Sequence, residues 1–318
     1  RSVPVQGRPT KRYHIMNNHT AKSAKVQLGV GEMNAPREGE LKADRATISK
    51  FVDAVYRHCN SADGYIAARA FTHCERGWPV IFPSIKFGPD LIDALEAAAT
   101  ETANMKSAAA FAPPVCLFCL NDSAKAKDIA AGPVITVDMD QSPDEGKAKL
   151  LGVLGMATII VASGGKWKDP VSGRQQDKLH LYWRLKKPAA NPDELEKLRR
   201  ARDLAAVFVG GDGSNNPISH PLRCPGSWHT KTDTPRLCSI VGGNTDSELD
   251  LDDALGRLEK AAGHLLADRG KRQGVEPREG FKTPRAWTAQ SLIEAAHQLP
   301  CDLWEWEEWN KVGMAIYD

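Results

Sequence analysis

No apolar run in this chain approaches the ~18–20 residues that a membrane crossing needs, and no apolar leader core follows its N-terminus. A surplus of one charge is missing too. The 42 basic residues face 40 acidic ones, for a formal net charge of +2, so the total neither requires nor excludes nucleic acid and local clusters must decide. There are no internal repeats and no low-complexity tracts. Seven cysteines, an odd number without a secretion signal, fit a reducing cytosol rather than a disulfide scaffold. Cys116-Leu117-Phe118-Cys119 has the spacing of zinc ligands, yet no second such pair exists to complete a four-ligand site. Its place inside the apolar run 115–120 makes buried free thiols the expected reading.

What is present describes a soluble, cytoplasmic globular protein. At 318 residues, 42% of them hydrophobic, there is room for one large domain or two ordinary ones. The chain begins at Arg1 rather than Met, as a trimmed fragment would. Residues 1–45 are polar and basic and read as an arm or loops. Residues 46–265 carry a mixed pattern: helices over 47–58, 89–101, 143–154 and 192–209, and strands over 64–71, 78–82, 114–120, 133–140, 157–162 and 179–185. The polar stretch 166–177 reads as a hairpin loop. Asn191-Pro192-Asp193-Glu194 is a strong helix start, with a cap, a first-turn proline and acidic residues facing the helix dipole. This order of elements indicates an α/β or α+β domain. A basic linker follows over 266–290, and 291–318 reads as two short helices, the second cut at Asp318.

Asp138-Met139-Asp140 is the most informative stretch. It closes an apolar run, and the two-residue period of a strand sets both carboxylates on one face. Such neighbours repel unless a cation lies between them, which suggests a hard divalent metal, although Asp-x-Asp also caps turns. Ser163-Gly164-Gly165 directly after the strand 157–162 suits either a plain turn or a backbone cradle for phosphate. In Lys178-Leu179-His180-Leu181-Tyr182-Trp183 the alternation puts Lys178, His180 and Tyr182 together, as a phosphate-binding strand or around a structural histidine. Asp212 after Gly210-Gly211 is a turn residue or a third carboxylate. Arg223, His229 and Lys231 around Pro225-Gly226 are three donors on a rigid turn, suited to a polyanion or simply to a solvated loop.

In order and spacing these segments resemble the archaeo-eukaryotic primase superfamily, nearest to primase-polymerases of plasmids, phages and integrated elements. The paired acid matches Asp138 and Asp140, the Ser-x-His-like element matches Ser163 and His180 with a longer insertion, and the lone acid matches Asp212. The later Arg-x-Pro-Gly stretch matches Arg223, Pro225, Gly226, His229 and Lys231, where many relatives have Asn in place of His229. Residues 299–315 resemble the start of a small helical accessory domain.

The resemblance implies a catalytic domain built on an RRM-like antiparallel sheet, followed by a partial helical domain. It implies a nucleotidyltransferase that makes and extends primers on single-stranded DNA for a mobile element. Mg²⁺ or Mn²⁺ would be held by Asp138, Asp140 and Asp212. Nucleoside triphosphates would be bound by Ser163, Gly164, Gly165, Lys178, His180, Arg223 and Lys231. A helicase beyond Asp318 is common in the family; a membrane partner is not expected. Two metal ions roughly 3.5–4 Å apart can stabilise the attacking and leaving oxygens of such a transfer. Two rival readings use the same residues, a metal-dependent nuclease and a non-catalytic single-strand-binding replication initiator.

Overall fold

The computed structural model describes residues 40–60, 64–72, 79–211, 217–231 and 234–273. The chain divides into two compact units, Arg1–Leu266 and Ala267–Asp318. Residues 1–39, Asp212 and the accessory segment 291–318 lie outside the described residues. Among those described, no helix is long and apolar enough to cross a membrane.

Helix α1 (Arg45–Val55) starts where the Asp44 side chain accepts from the Thr47 amide at 3.1 Å, and it buries Ile48, Phe51, Val52 and Val55 at helical spacing. Four short strands follow, β1 (Tyr65–Ile66), β2 (Arg69–Thr72), β3 (Pro79–Ile81) and β4 (Ile85–Lys86). Helix α2 (Leu91–Ala103) precedes β5 (Ala109–Phe111) and β6 (Leu117–Phe118). The central part is β7 (Ile129–Met139), α3 (Pro143–Leu154), β8 (Ile159–Lys168), β9 (Gln175–Ala189) and α4 (Pro192–Phe208). The short strands β10 (Trp228–His229), β11 (Arg236–Leu237) and β12 (Ser239–Gly242) lead to α5 (Leu251–Gln273).

The strands form two antiparallel sheets. One has seven strands in the order β12-β8-β9-β7-β6-β1-β4, and the other has five in the order β11-β10-β5-β2-β3. Strand β9 is the spine of the larger sheet, because it pairs with β7 on one side and β8 on the other. Its alternation divides the core. Leu179, Leu181, Trp183 and Leu185 pack with α3, α4 and α5, whereas Tyr182 faces α1 and α2. The Tyr182 and Phe51 rings meet edge to face at 5.1 Å. This is the mixed α+β class read from the sequence.

Several elements differ from their sequence reading. The single strand expected over 64–71 is two, β1 and β2, which belong to different sheets. Strand β5, strands β10–β12 and helix α5 carry no counterpart in that reading. Ser163-Gly164-Gly165 lies inside β8 rather than after it, and half of 166–177 is strand. Lys166 pairs with Asp177 and Lys168 with Gln175, leaving a turn over 169–174 closed by the Asp169 side chain, which accepts from Val171 and Ser172 amides. The Cys116 thiol is buried, with its pKa pushed up to about 12 by that burial, but Cys119 is exposed. The two thiols therefore share no environment.

Candidate active site

Strand β7 delivers Asp138 opposite His180 of β9, and two residues on, past the strand end, Asp140 accepts an ion pair from Lys178 Nζ at 2.9 Å. The two-residue period therefore sets the acid pair side by side with the Lys178–His180 pair of the neighbouring strand. The Asp138 side chain is only 14% exposed against 53% for Asp140. Burial raises the Asp138 pKa to about 7, the Asp140 charge pushes the same way, and Arg223 and Lys178 oppose both. Oδ1 of Asp138 is buried and has no hydrogen-bond partner. His180 Nε2 stands 3.5 Å from that oxygen. Burial, helped by the charges of Arg223 and His220, lowers the His180 pKa to about 3, so the ring is neutral and the contact is not an ion pair. The Tyr182 hydroxyl is 3.3 Å from Nδ1. The Tyr182 contact holds the ring with Nε2 turned to Asp138.

The Ser-Gly-Gly segment bulges out of register between the pairs Ala162–Leu179 and Lys166–Asp177. Gly164 has φ +82°, and a Cβ there would lie 3.0 Å from His229 Cβ. A side chain would be strained and would also meet β10. Ser163 is buried, and its two oxygens accept from Arg223 Nη1, the carbonyl at 2.7 Å and Oγ at 3.0 Å. The Arg223 guanidinium is thereby anchored beside the acid pair. The turn that carries it is fixed in turn: the Gly226 carbonyl accepts from Asp44 at the start of α1, and its amide donates to Cys238.

Across the bulge, His229 of β10 is buried. Its pKa falls to about 4, through burial first and then the charges of Arg223, Lys231, Arg236 and Lys178. Four cations thus act on one neutral ring. Lys231 itself is exposed, just past β10. Of the residues singled out in the sequence, Asp138, Asp140, Ser163, Gly164, Gly165, Lys178, His180 and Arg223 meet at one end of the larger sheet, and Lys231 joins them through His229. Tyr182 shares its strand face with Lys178 and His180, but its bond to the His180 ring was not read from the sequence. Arg236, which pairs with His229 across β10–β11, carries no sequence signal. Its place follows from a strand pairing alone.

Among the described residues no three His, Cys, Asp or Glu side chains cluster as a metal site. The donors present are two carboxylates, one with a buried oxygen lacking a partner. That set fits a hard divalent cation such as Mg²⁺, which typically takes one or two carboxylates and completes its shell with phosphate oxygens and water.

No protein-family model and no curated protein matches the chain. Among solved structures, the AEP domain of the cyanophage S-2L primase-polymerase is similar at TM-score 0.49 and 14% identity, over 69% of this chain and 100% of that one. Primase RepB' is similar at TM-score 0.44 and 10% identity, over 72% of this chain and 65% of that one. The catalytic domain of RepB' in complex with initiator DNA is similar at TM-score 0.45 and 9% identity, over 72% and 98%.

Proposed function

We propose that the chain is a DNA primase-polymerase, a divalent-metal-dependent nucleotidyltransferase that makes and extends primers on single-stranded DNA in the replication of a mobile element. The observation that carries this reading is the juxtaposition, at one sheet end, of the Asp138–Asp140 pair with the Arg223 guanidinium anchored by Ser163 and the Lys178 ammonium. Acids alone would suit many metal enzymes. Acids beside a polyanion cradle suit a metal-bound triphosphate.

Asp138 and Asp140 would hold Mg²⁺ or Mn²⁺, with Asp212 as the third ligand that the sequence resemblance assigns. Bound there, the metal offsets the negative charge that builds on the attacking and leaving oxygens during transfer to the α-phosphate. The protein's own groups have separable tasks. The charge of Arg223 favours the ionised form of Asp138 that a cation needs. Arg223, fixed by Ser163, presents a planar donor to phosphate oxygens without having to be ordered on binding. His180, neutral and oriented by Tyr182, offers an N–H donor that adds no charge to the site. The bare backbone at Gly164 and Gly165 lets His229 and the phosphate-binding side chains Lys178 and Arg223 close in around it, and Lys231 lies on the exposed side, toward triphosphate or template.

The test is incubation of the chain with primed and with unprimed single-stranded DNA, ribo- and deoxyribonucleotide pools supplied separately, and Mg²⁺ or Mn²⁺, followed by sizing of products. Metal-dependent products longer than the input, with composition set by the template, are expected. Shortened template without incorporation would make the protein a nuclease, and binding with neither reaction would make it a non-catalytic initiator.

A further inference from the structure

Lys178 stands between the two halves of the site. Its ammonium pairs with Asp140 at 2.9 Å, yet its charge also depresses the pKa of His229 on the far side of the Ser-Gly-Gly bulge. Its stem crosses Gly165 so closely that a Cβ there would lie 2.9 Å from Lys178 Cδ and 3.4 Å from Arg223 Nη1. The missing side chain at 165 leaves a path along which the lysine runs from the acid pair toward the Arg223 cradle. The pairing is also open to exchange, because Asp140 is half exposed and water screens the pair.

We infer that Lys178 is an exchangeable counter-ion that couples cation entry to anion binding. In the metal-free protein it neutralises Asp140. A divalent cation on the acid pair displaces it, and the freed ammonium swings over Gly165 to join Arg223 in holding an anionic ligand. Each ligand then favours the other through one flexible side chain, so the cradle gains its second charge only when the metal that a triphosphate needs is in place. This rests on the metal reading of Asp138 and Asp140 proposed above.

The experiment uses the full 318-residue chain. Mn²⁺ binding, without nucleotide, is measured by electron paramagnetic resonance for wild type, Lys178→Met, Lys178→Gln and Lys178→Arg, each checked for folding by circular dichroism. Removing the competing charge should tighten Mn²⁺ on the order of fivefold to tenfold in the Met and Gln variants, whereas Arg should stay near wild type. In a second arm, a fluorescent nucleoside triphosphate is titrated in EDTA against wild type, Asp140→Ala, Lys178→Met and the double variant. Asp140→Ala should strengthen binding several-fold by freeing Lys178, and most of that gain should vanish in the Lys178→Met background. Equal Mn²⁺ affinity in all four proteins, or an equal Asp140→Ala gain in both backgrounds, overturns the exchange while leaving the metal site standing. Wild type that binds no Mn²⁺ at all overturns the metal reading itself, and the exchange with it.

Discussion

At position 164 two demands coincide: a left-handed backbone, with φ +82°, and a neighbour, His229, at the distance of a Cβ contact. Gly164→Ala should destabilise the protein by roughly 1–2 kcal/mol from the backbone alone, read as a lower urea midpoint with unchanged slope. An unchanged midpoint would mean that the bulge relaxes freely. Ser163 is a milder case, since Ser163→Ala keeps the carbonyl that anchors Arg223 and loses only Oγ. That should weaken triphosphate binding by about fivefold, one hydrogen bond of ~1 kcal/mol, and leave single-stranded DNA binding unaffected. Parallel titrations of the two ligands separate the effects, and equal weakening of both would assign Ser163 to folding. At this scale the sequence was most legible where strand period alone decides. The acid pair and the face shared by Lys178, His180 and Tyr182 needed only alternation. The Ser163–Arg223 contact spans 60 residues, so no local pattern announces it.

Helix α4 shows how an element can be read in full from one strand of text. Asn191 accepts from the Glu194 amide at 2.9 Å, and the Glu194 carboxylate answers by accepting from the amides of Ala190 and Asn191 and from Lys187 Nζ. Those bonds, the Ala190 amide first and Lys187 next, lower the Glu194 pKa to about 2 from the usual 4.5. The stabilisation is therefore complete above the unfolded-state value and is lost as pH falls from there toward 2. Glu194→Gln should cost about 1 kcal/mol at neutral pH, and the difference from wild type should shrink through that acid window. Urea midpoints across pH check this, and a pH-independent difference would remove the charge from the cap. Helix α5 was missed although its signals exist: Asp250 accepts from the amides of Asp252 and Asp253, and Ala254, Leu258 and Ala262 are buried at helical spacing. Its charged residues outnumber that thin apolar stripe and read as a solvated segment. The outer arms of β8 and β9 were hidden for the same reason, because they pair with each other without burying an apolar face.

On the scale of the whole molecule, the order of helices α1 to α4 was legible and the order of strands was not. A seven-strand sheet that places β12 at one edge and β4 at the other is set by pairings between distant segments. Arg184 displays what holds such an arrangement together. It is 1% exposed, and it donates to the carbonyl of Ala54 in α1 at 2.7 Å, to the carbonyl of Thr245 at 2.9 Å and to Glu248 at 3.2 Å. One buried guanidinium thus joins α1, β9 and the segment that enters α5. Arg184→Met should cost about 3 kcal/mol, since it strands the buried Ala54 carbonyl and removes the bonds to the half-buried Thr245 and Glu248, and thermal unfolding should show a correspondingly lower midpoint. A loss below 1 kcal/mol would show that the three elements hold together without it.

The central claim is that Asp138 and Asp140 serve nucleotide addition. The most direct measurement is single-nucleotide extension of a labelled primer on single-stranded template with Mn²⁺, comparing wild type with Asp138→Asn of equal circular dichroism. The account predicts template-directed addition by wild type and a loss of about a thousandfold or more in the variant, since a metal ligand worth several kcal/mol to the transition state is gone. Addition by folded Asp138→Asn at close to the wild-type rate would contradict it.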